Sequence, residues 1–120
     1  MAVIGPLKLK VQLFRGDEPA IGPGKALVLE AIAREGSISA AGRSLGMSYR
    51  RTWLLVDSLN RCWREPAVAA QAGGGAQGGA RLTPFGQELL RRYRAMEARV
   101  ADASRGEDLD WLLAARNPDG

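Results

Sequence analysis

The chain has 120 residues, 46% of them hydrophobic and 25% charged, which suits one soluble globular domain with a modest core and excludes a disordered segment or two ordinary domains. With no histidine and a single cysteine, Cys62, it has no zinc-type ligand set, no intrachain disulfide and no Ser-His or Cys-His nucleophile, so no metal and no cofactor is expected and an enzyme is the least supported class. No apolar run nears the roughly 20 residues that span a bilayer, and "MAVIGPLKLK" lacks the pattern of a secretory signal, so a cytoplasmic protein without membrane contact is expected.

In chain order, "LKLKVQLF", Leu7 to Phe14, alternates apolar and polar residues at period two and predicts an N-terminal strand with lysines on its outer face. "RGDEPAIGPG" then predicts a turn-rich connection, and its RGD tripeptide matches an adhesion motif by chance. Pro23 opens a first helix with Val28, Leu29, Ile32 and Ala33 on one face, closed by Gly36. Ser37 or Ser39 caps a second helix of two turns that Gly46 stops. Ser48 caps a third, in which Trp53, Val56, Leu59 and Trp63 recur at three- and four-residue steps and are expected to face inward. Cys62 is expected to fill a small apolar space.

Pro66 ends the third helix. "AVAAQ" and "ARLT" predict two short strands joined by the glycine-rich tip "GGGAQGG", Gly73 to Gly79. Thr83 caps and Pro84 opens a long final helix, with Phe85, Leu89, Leu90, Tyr93, Met96 and Val100 along one side. The fold class expected is mainly α, a winged helix-turn-helix with a small β-hairpin wing, an N-terminal strand and a long C-terminal helix. Residues 1–104 form that domain, and 105–120 a short tail with room for one apolar turn around Trp111, Leu112 and Leu113.

The net charge of +4 is unevenly spread. Residues 34–64 carry six Lys/Arg against two Asp/Glu, whereas 105–120 carry two against four. A local basic excess of this kind suits either a face that meets polyanions or a solvated helix face. Two short helices joined by a glycine-containing turn, the second opening with arginines, match the unit that lays its second helix in the major groove of DNA. The residues placed for this are Ser48, Tyr49, Arg50, Arg51 and Thr52: a helix N-terminus offers amides to phosphate, and arginine grips guanine through two hydrogen bonds. Tyr49 either stacks on the nucleic acid or packs beside Trp53. Ser39 either donates to a phosphate or simply caps its helix. "GPGK", Gly22 to Lys25, is no nucleotide loop, because Pro19 and Ala26 stand where Gly and Ser/Thr are needed.

"GSISAAGRSLGMSYRRTWLLVDSLN", Gly36 to Asn60, and "GGGAQGGARLTPFGQELLRRY", Gly73 to Tyr93, resemble the N-terminal domain of the ModE-type molybdate-responsive transcriptional regulators, and more distantly the winged helix of LysR-type regulators. The resemblance spans roughly residues 22 to 104. It implies that Ser48 to Thr52 read DNA and that the wing runs from Gly73 to Arg81, with palindromic sites bound by dimers. The sensing regulators of that family carry a pair of small C-terminal β-barrels, for which a chain ending at Gly120 has no room. "ARN" at Ala115 to Asn117 matches the start of their oxyanion motif, but the residues after it do not follow, so the molybdate-sensing domain is expected to be absent.

The expected function is that of a sequence-specific DNA-binding transcriptional regulator, linked to molybdate metabolism through the resemblance and dimeric through the apolar stripe of its long final helix. The DNA-binding set comprises Ser39, Arg43, Ser48, Tyr49, Arg50, Arg51 and Thr52, with Gly74, Gly75, Gln77, Gly78 and Arg81 of the wing. Arg43 and Arg81 are assigned to phosphates, and the wing glycines let the backbone approach DNA closely. The alternatives are a winged-helix protein-interaction module without DNA binding, or a direct sensor of a small oxyanion.

Overall fold

The computed structural model describes residues 1–72 and 78–117. Its elements are β1 (Ala2–Ile4), β2 (Leu7–Leu9), β3 (Leu13–Arg15), β4 (Glu18–Ile21), α1 (Pro23–Glu35), α2 (Ile38–Ser44), α3 (Tyr49–Arg61), β5 (Val68–Gln71), β6 (Gly79–Leu82), α4 (Pro84–Ser104) and α5 (Glu107–Ala115). The fold is mainly helical, with its strands in three antiparallel pairs, β1–β2, β3–β4 and β5–β6.

The N-terminal region differs from the single strand expected over Leu7 to Phe14. That run is divided between two hairpins, β1–β2 and β3–β4, with residues 10–12 belonging to neither. Gly5 and Gly16 both adopt positive φ, at 57° and 61°, and so turn the chain between the strands of each pair. The "RGD" segment is therefore the turn of the second hairpin, and the expected connection after it holds β4. Alternation persists through Leu7, Leu9 and Val11, which are half-buried, and fails at Leu13, which is exposed.

The helices begin and end where their capping chemistry lies. Ser37, rather than Ser39, caps α2, its Oγ accepting from the Ala40 amide at 3.0 Å. Gly36, at φ 80°, closes α1 by donating its amide to the Ile32 carbonyl at 2.9 Å. Thr83 caps α4 through the Gly86 amide at 2.9 Å. The core gathers Val28, Leu29 and Ile32 of α1, Val56 and Leu59 of α3, Val68 and Leu82 of the third hairpin, and Leu89 and Tyr93 of α4. Each large side chain buried in this way contributes about 1.5–3 kcal/mol. Ala33, expected on the inner face of α1, is exposed, and Ala31 takes that place.

Two close approaches set helix positions. A Cβ at Gly86 would overlap the Ala67 carbonyl oxygen, so α4 can lie against the start of the third hairpin only through glycine. A Cβ at Gly42 would stand 2.5 Å from the Thr52 Oγ1, so the α2–α3 crossing also depends on a missing side chain. On the far side of the core, Arg94 of α4 grips Glu30 of α1 with two hydrogen bonds of 2.7 and 3.1 Å. It also reaches buried Glu97 at 2.6 Å. Burial pushes the Glu97 carboxyl up, but the Arg94 hydrogen bond and the N-terminal ammonium outweigh it and hold the group below its ordinary value. The Tyr93 hydroxyl donates to the Val11 carbonyl at 2.7 Å and ties the N-terminal segment to α4, and burial pushes its pKa up to about 12.

Candidate nucleic-acid interface

The local sequence makes the start of α3 a cationic, donor-rich tip. Gly46, at φ 69°, turns the chain out of α2, and Met47 returns its amide to the Gly42 carbonyl at 2.8 Å. Ser48 then caps α3, its Oγ accepting from the Arg51 amide at 3.1 Å. The Tyr49 and Arg50 amides remain open, no acidic side chain lies in the first turn, and the helix dipole adds positive potential. Tyr49, Arg50 and Arg51 all project into solvent.

Ion pairing divides the arginines into two groups. Arg34, Arg61, Arg64, Arg91, Arg92, Arg94 and Arg105 each stand within 4.0 Å of a carboxylate. Among the described residues Arg43, Arg50, Arg51 and Arg81 have no such partner, and neither do Arg15, Arg99 and Arg116 elsewhere on the chain; Arg43 instead donates to the Ser39 Oγ at 3.1 Å. An exposed guanidinium without a carboxylate keeps its full fork of donors for an incoming anion.

The β5–β6 hairpin is fixed beside α3. Asn60, in the last turn of α3, accepts the Ala67 and Val68 amides on its Oδ1 at 2.9 and 3.0 Å and donates to the Val68 carbonyl at 3.1 Å. The Ala80 amide donates to the Gly36 carbonyl at 2.8 Å, joining β6 to the end of α1. Thr83 completes the base, its amide donating to the Ala67 carbonyl and its hydroxyl to the Pro66 carbonyl. Arg81, across the pair from Ala69, is thereby presented to solvent from a strand whose neighbours Ala80 and Leu82 are buried. Asn60 is absent from the residues expected from sequence. A polar amide at the inner spacing of an amphipathic helix, four residues after Val56 and with no charged partner, was the signal for it.

Two residues of α3 lie differently from expectation. Thr52 is fully buried, its Oγ1 donating to the Ser48 carbonyl at 2.8 Å against Gly42, so it belongs to the helix crossing and cannot read a groove. Trp53, expected inside, is 45% exposed and borders a cleft with Ile38, Val68 and Ala70, because its position on the helix faces the hairpin rather than α1. Ser48, Tyr49, Arg50 and Arg51 are consecutive at the tip of α3, and Ser39, which accepts from Arg43, borders a small cleft with Tyr49 and Gly78, whereas Arg81 borders a different cleft with Gly36, Pro84 and Gln87. Gly78, exposed at φ 75°, leads into β6. Gly74, Gly75 and Gln77 lie outside the described residues. No group of three or more His, Cys, Asp or Glu side chains comes together among the described residues, and no helix is long and apolar enough to cross a membrane.

The chain is 34% identical over 115 residues to the DNA-binding transcriptional dual regulator ModE of Escherichia coli (strain K12), an alignment covering 91% of this chain and 42% of that protein. It is 38% identical over 84 residues to the molybdenum transport protein ModE of Azotobacter vinelandii, covering 70% and 31%. The chain is a relative of the ModE regulators. A further relative, the molybdenum-pterin-binding protein MopB of Rhodobacter capsulatus, is 47% identical over 81 residues, covering 68% and 30%. No protein-family model matches the chain. The chain thus spans well under half the length of the ModE and Mop proteins it matches.

Proposed function

We propose that residues 1–104 form a winged helix-turn-helix that binds duplex DNA and acts, in the cytoplasm, as a dimeric transcriptional regulator. In this reading α2 and α3 are the helix-turn-helix, β5–β6 is the wing, and the observation that carries it is the exposed, carboxylate-free pair Arg50 and Arg51 at the capped tip of α3. Arg50 and Arg51, with Tyr49, read base edges in the major groove. Arg43, Arg81 and the open amides of α3 hold phosphates, Ser39 and Ser48 orient them, and the wing residues Gly74, Gly75, Gln77 and Gly78 approach the backbone. The ModE relatives' names supply the support for gene regulation and for a link to molybdenum handling. One module contacts few base pairs, so two copies on a palindrome supply affinity, paired through the outer stripe of α4.

Titration of an operator duplex and a random duplex tests this. Arg50→Ala and Arg51→Ala should each cost about 1–3 kcal/mol on the operator and much less on the random sequence. Arg81→Ala should weaken both alike and flatten the salt dependence by about one phosphate's worth. Unchanged operator binding by both α3 variants would overturn the reading.

A further inference from the structure

Three large apolar side chains stand in solvent on the helix that carries the open cationic tip. Tyr49 is 52%, Trp53 45% and Leu54 47% exposed. They lie within six consecutive residues, beside Arg50 and Arg51, for which no carboxylate stands within 4.0 Å among the described residues. Their surroundings differ. Trp53 borders the cleft of Ile38, Val68 and Ala70, and Tyr49 a smaller one with Ile38 and Gly78, so both lean toward the β5–β6 hairpin. Leu54 is turned the other way. It is two residues from buried Thr52 and two from buried Val56, and each residue advances the helix by roughly 100°. That step sets Leu54 on the side of α3 opposite to the core.

Arg50 shares that side. It too is two residues from Thr52, and the step of four from Arg50 to Leu54 makes them neighbours on one face, about 6 Å apart along the axis. Three residues beyond Leu54, Asp57 is held by Arg61 at 2.9 Å. The outward face of α3 therefore runs from a guanidinium with free donors, through a branched alkyl group, to a closed ion pair. An exposed leucine alone is ordinary. This one is continuous with a cationic tip that carries no acid, so a surface that reaches Leu54 also meets Arg50 and is anionic around a small apolar spot. The major groove of DNA offers one such spot, the 5-methyl group of thymine, which lies among the base edges between two rows of phosphates.

We infer that Leu54 is a specificity-determining residue that packs on the 5-methyl group of a thymine one or two base pairs from the guanine gripped by Arg50. The spacing follows from the rise of about 6 Å between the two residues set against about 3.4 Å per base pair. Cytosine in the same place lacks the methyl group and presents an amino group that the leucine leaves without a partner. The inference rests on the DNA-binding reading above and adds to it the identity of one base.

Selection of bound duplexes from a randomised pool tests it, followed by titration of the selected duplex with deoxyuridine in place of one thymine at a time. That exchange removes the methyl group and keeps every hydrogen-bonding atom. For the wild-type chain one thymine of the contacted site should respond, its replacement weakening binding about fourfold, the loss expected for one apolar carbon no longer buried. Leu54→Ala should bind the selected duplex more weakly and show no further fall with deoxyuridine there, whereas Leu54→Met, which keeps the alkyl contact, should retain the response. Leu54 is exposed in the free chain, so both variants should fold, and circular dichroism checks this. Selection with Arg50→Ala should relax a guanine one or two base pairs from the responding thymine. A wild-type chain that enriches no sequence would overturn the DNA reading and this inference together. An enriched site in which no thymine responds to deoxyuridine, or an equal fall in the wild-type chain and Leu54→Ala, would overturn this inference alone and leave the arginine reading standing.

Discussion

The two ends of α3 carry the same residue type in opposite circumstances. At its start Arg50 and Arg51 meet no carboxylate, whereas at its end Arg61 is held by Asp57 at 2.9 Å and by both oxygens of Glu18 at 2.9 and 3.1 Å. Glu18 also accepts from Ser58 at 2.6 Å, and Arg61 and Ser58 together pull its carboxyl down to about 2. One end of the helix is tied into the β3–β4 hairpin and the other is left open. Charge alone therefore says little about an arginine's role, and the neighbouring acids say most of it.

The strongest way to break this division is at Asn60. Asn60→Ala removes three hydrogen bonds and leaves two part-buried amides unpaired, which should cost about 3 kcal/mol in urea denaturation. It should also weaken DNA binding without touching any exposed cation. Full affinity in that variant would show that the hairpin's position does not matter. Next comes Gly42→Ala, where the added methyl meets the Thr52 hydroxyl and should cost about 1–3 kcal/mol of stability. Thr52→Ala in the same chain removes the clashing Oγ1 and should recover part of the loss. A smaller effect sharpens the contrast between the ends: Arg50→Gln with Arg51→Gln should leave the thermal midpoint nearly unchanged, since exposed substitutions usually stay within about 0.5 kcal/mol, while operator binding collapses.

The smallest effect is in acid. The folded-state pKa of Glu18 lies below its ordinary 4.5, so its contribution is fully present above about pH 4.5 and is lost as the pH falls toward 2. Arg61→Ala removes the largest cause of that depression. Urea midpoints compared at pH 6 and pH 2.5 should then differ less in the variant than in the wild-type chain, with duplex affinity at neutral pH unchanged. An equal acid loss in both proteins would show that Arg61 is not the tie described.

Capping and punctuation made the helical part legible in the sequence. Pro23, Gly36, Gly46, Ser48, Thr83 and Pro84 each act at the helix end where local chemistry puts them. The N-terminal hairpins were less legible, because period-two alternation runs on from Leu7 and Leu9 of β2 to Val11 in the connection and Leu13 of β3, and no Gly or Pro marks the break at residues 10–12. Trp53 and Thr52 were misplaced for a shared reason. Helical spacing says which residues share a face but not which neighbour that face meets, and α3 is covered by α2 at Thr52 while at Trp53 it is only bordered by a short, alanine-rich hairpin. Arg50 and Arg51 could be nominated from composition, but their freedom from carboxylates is a tertiary fact.

The ties at the base of the β5–β6 hairpin have one more consequence, for sequence drift. Asn60, Gly36 and Thr83 reach it through the main-chain groups of Pro66, Ala67, Val68 and Ala80, and the hairpin side chains that help to seat it, Val68, Ala80 and Leu82, all point into the core. Its exposed positions, Ala70, Gln71 and Arg81 among them, can therefore be exchanged in descendants of this chain while the ribbon keeps its seat.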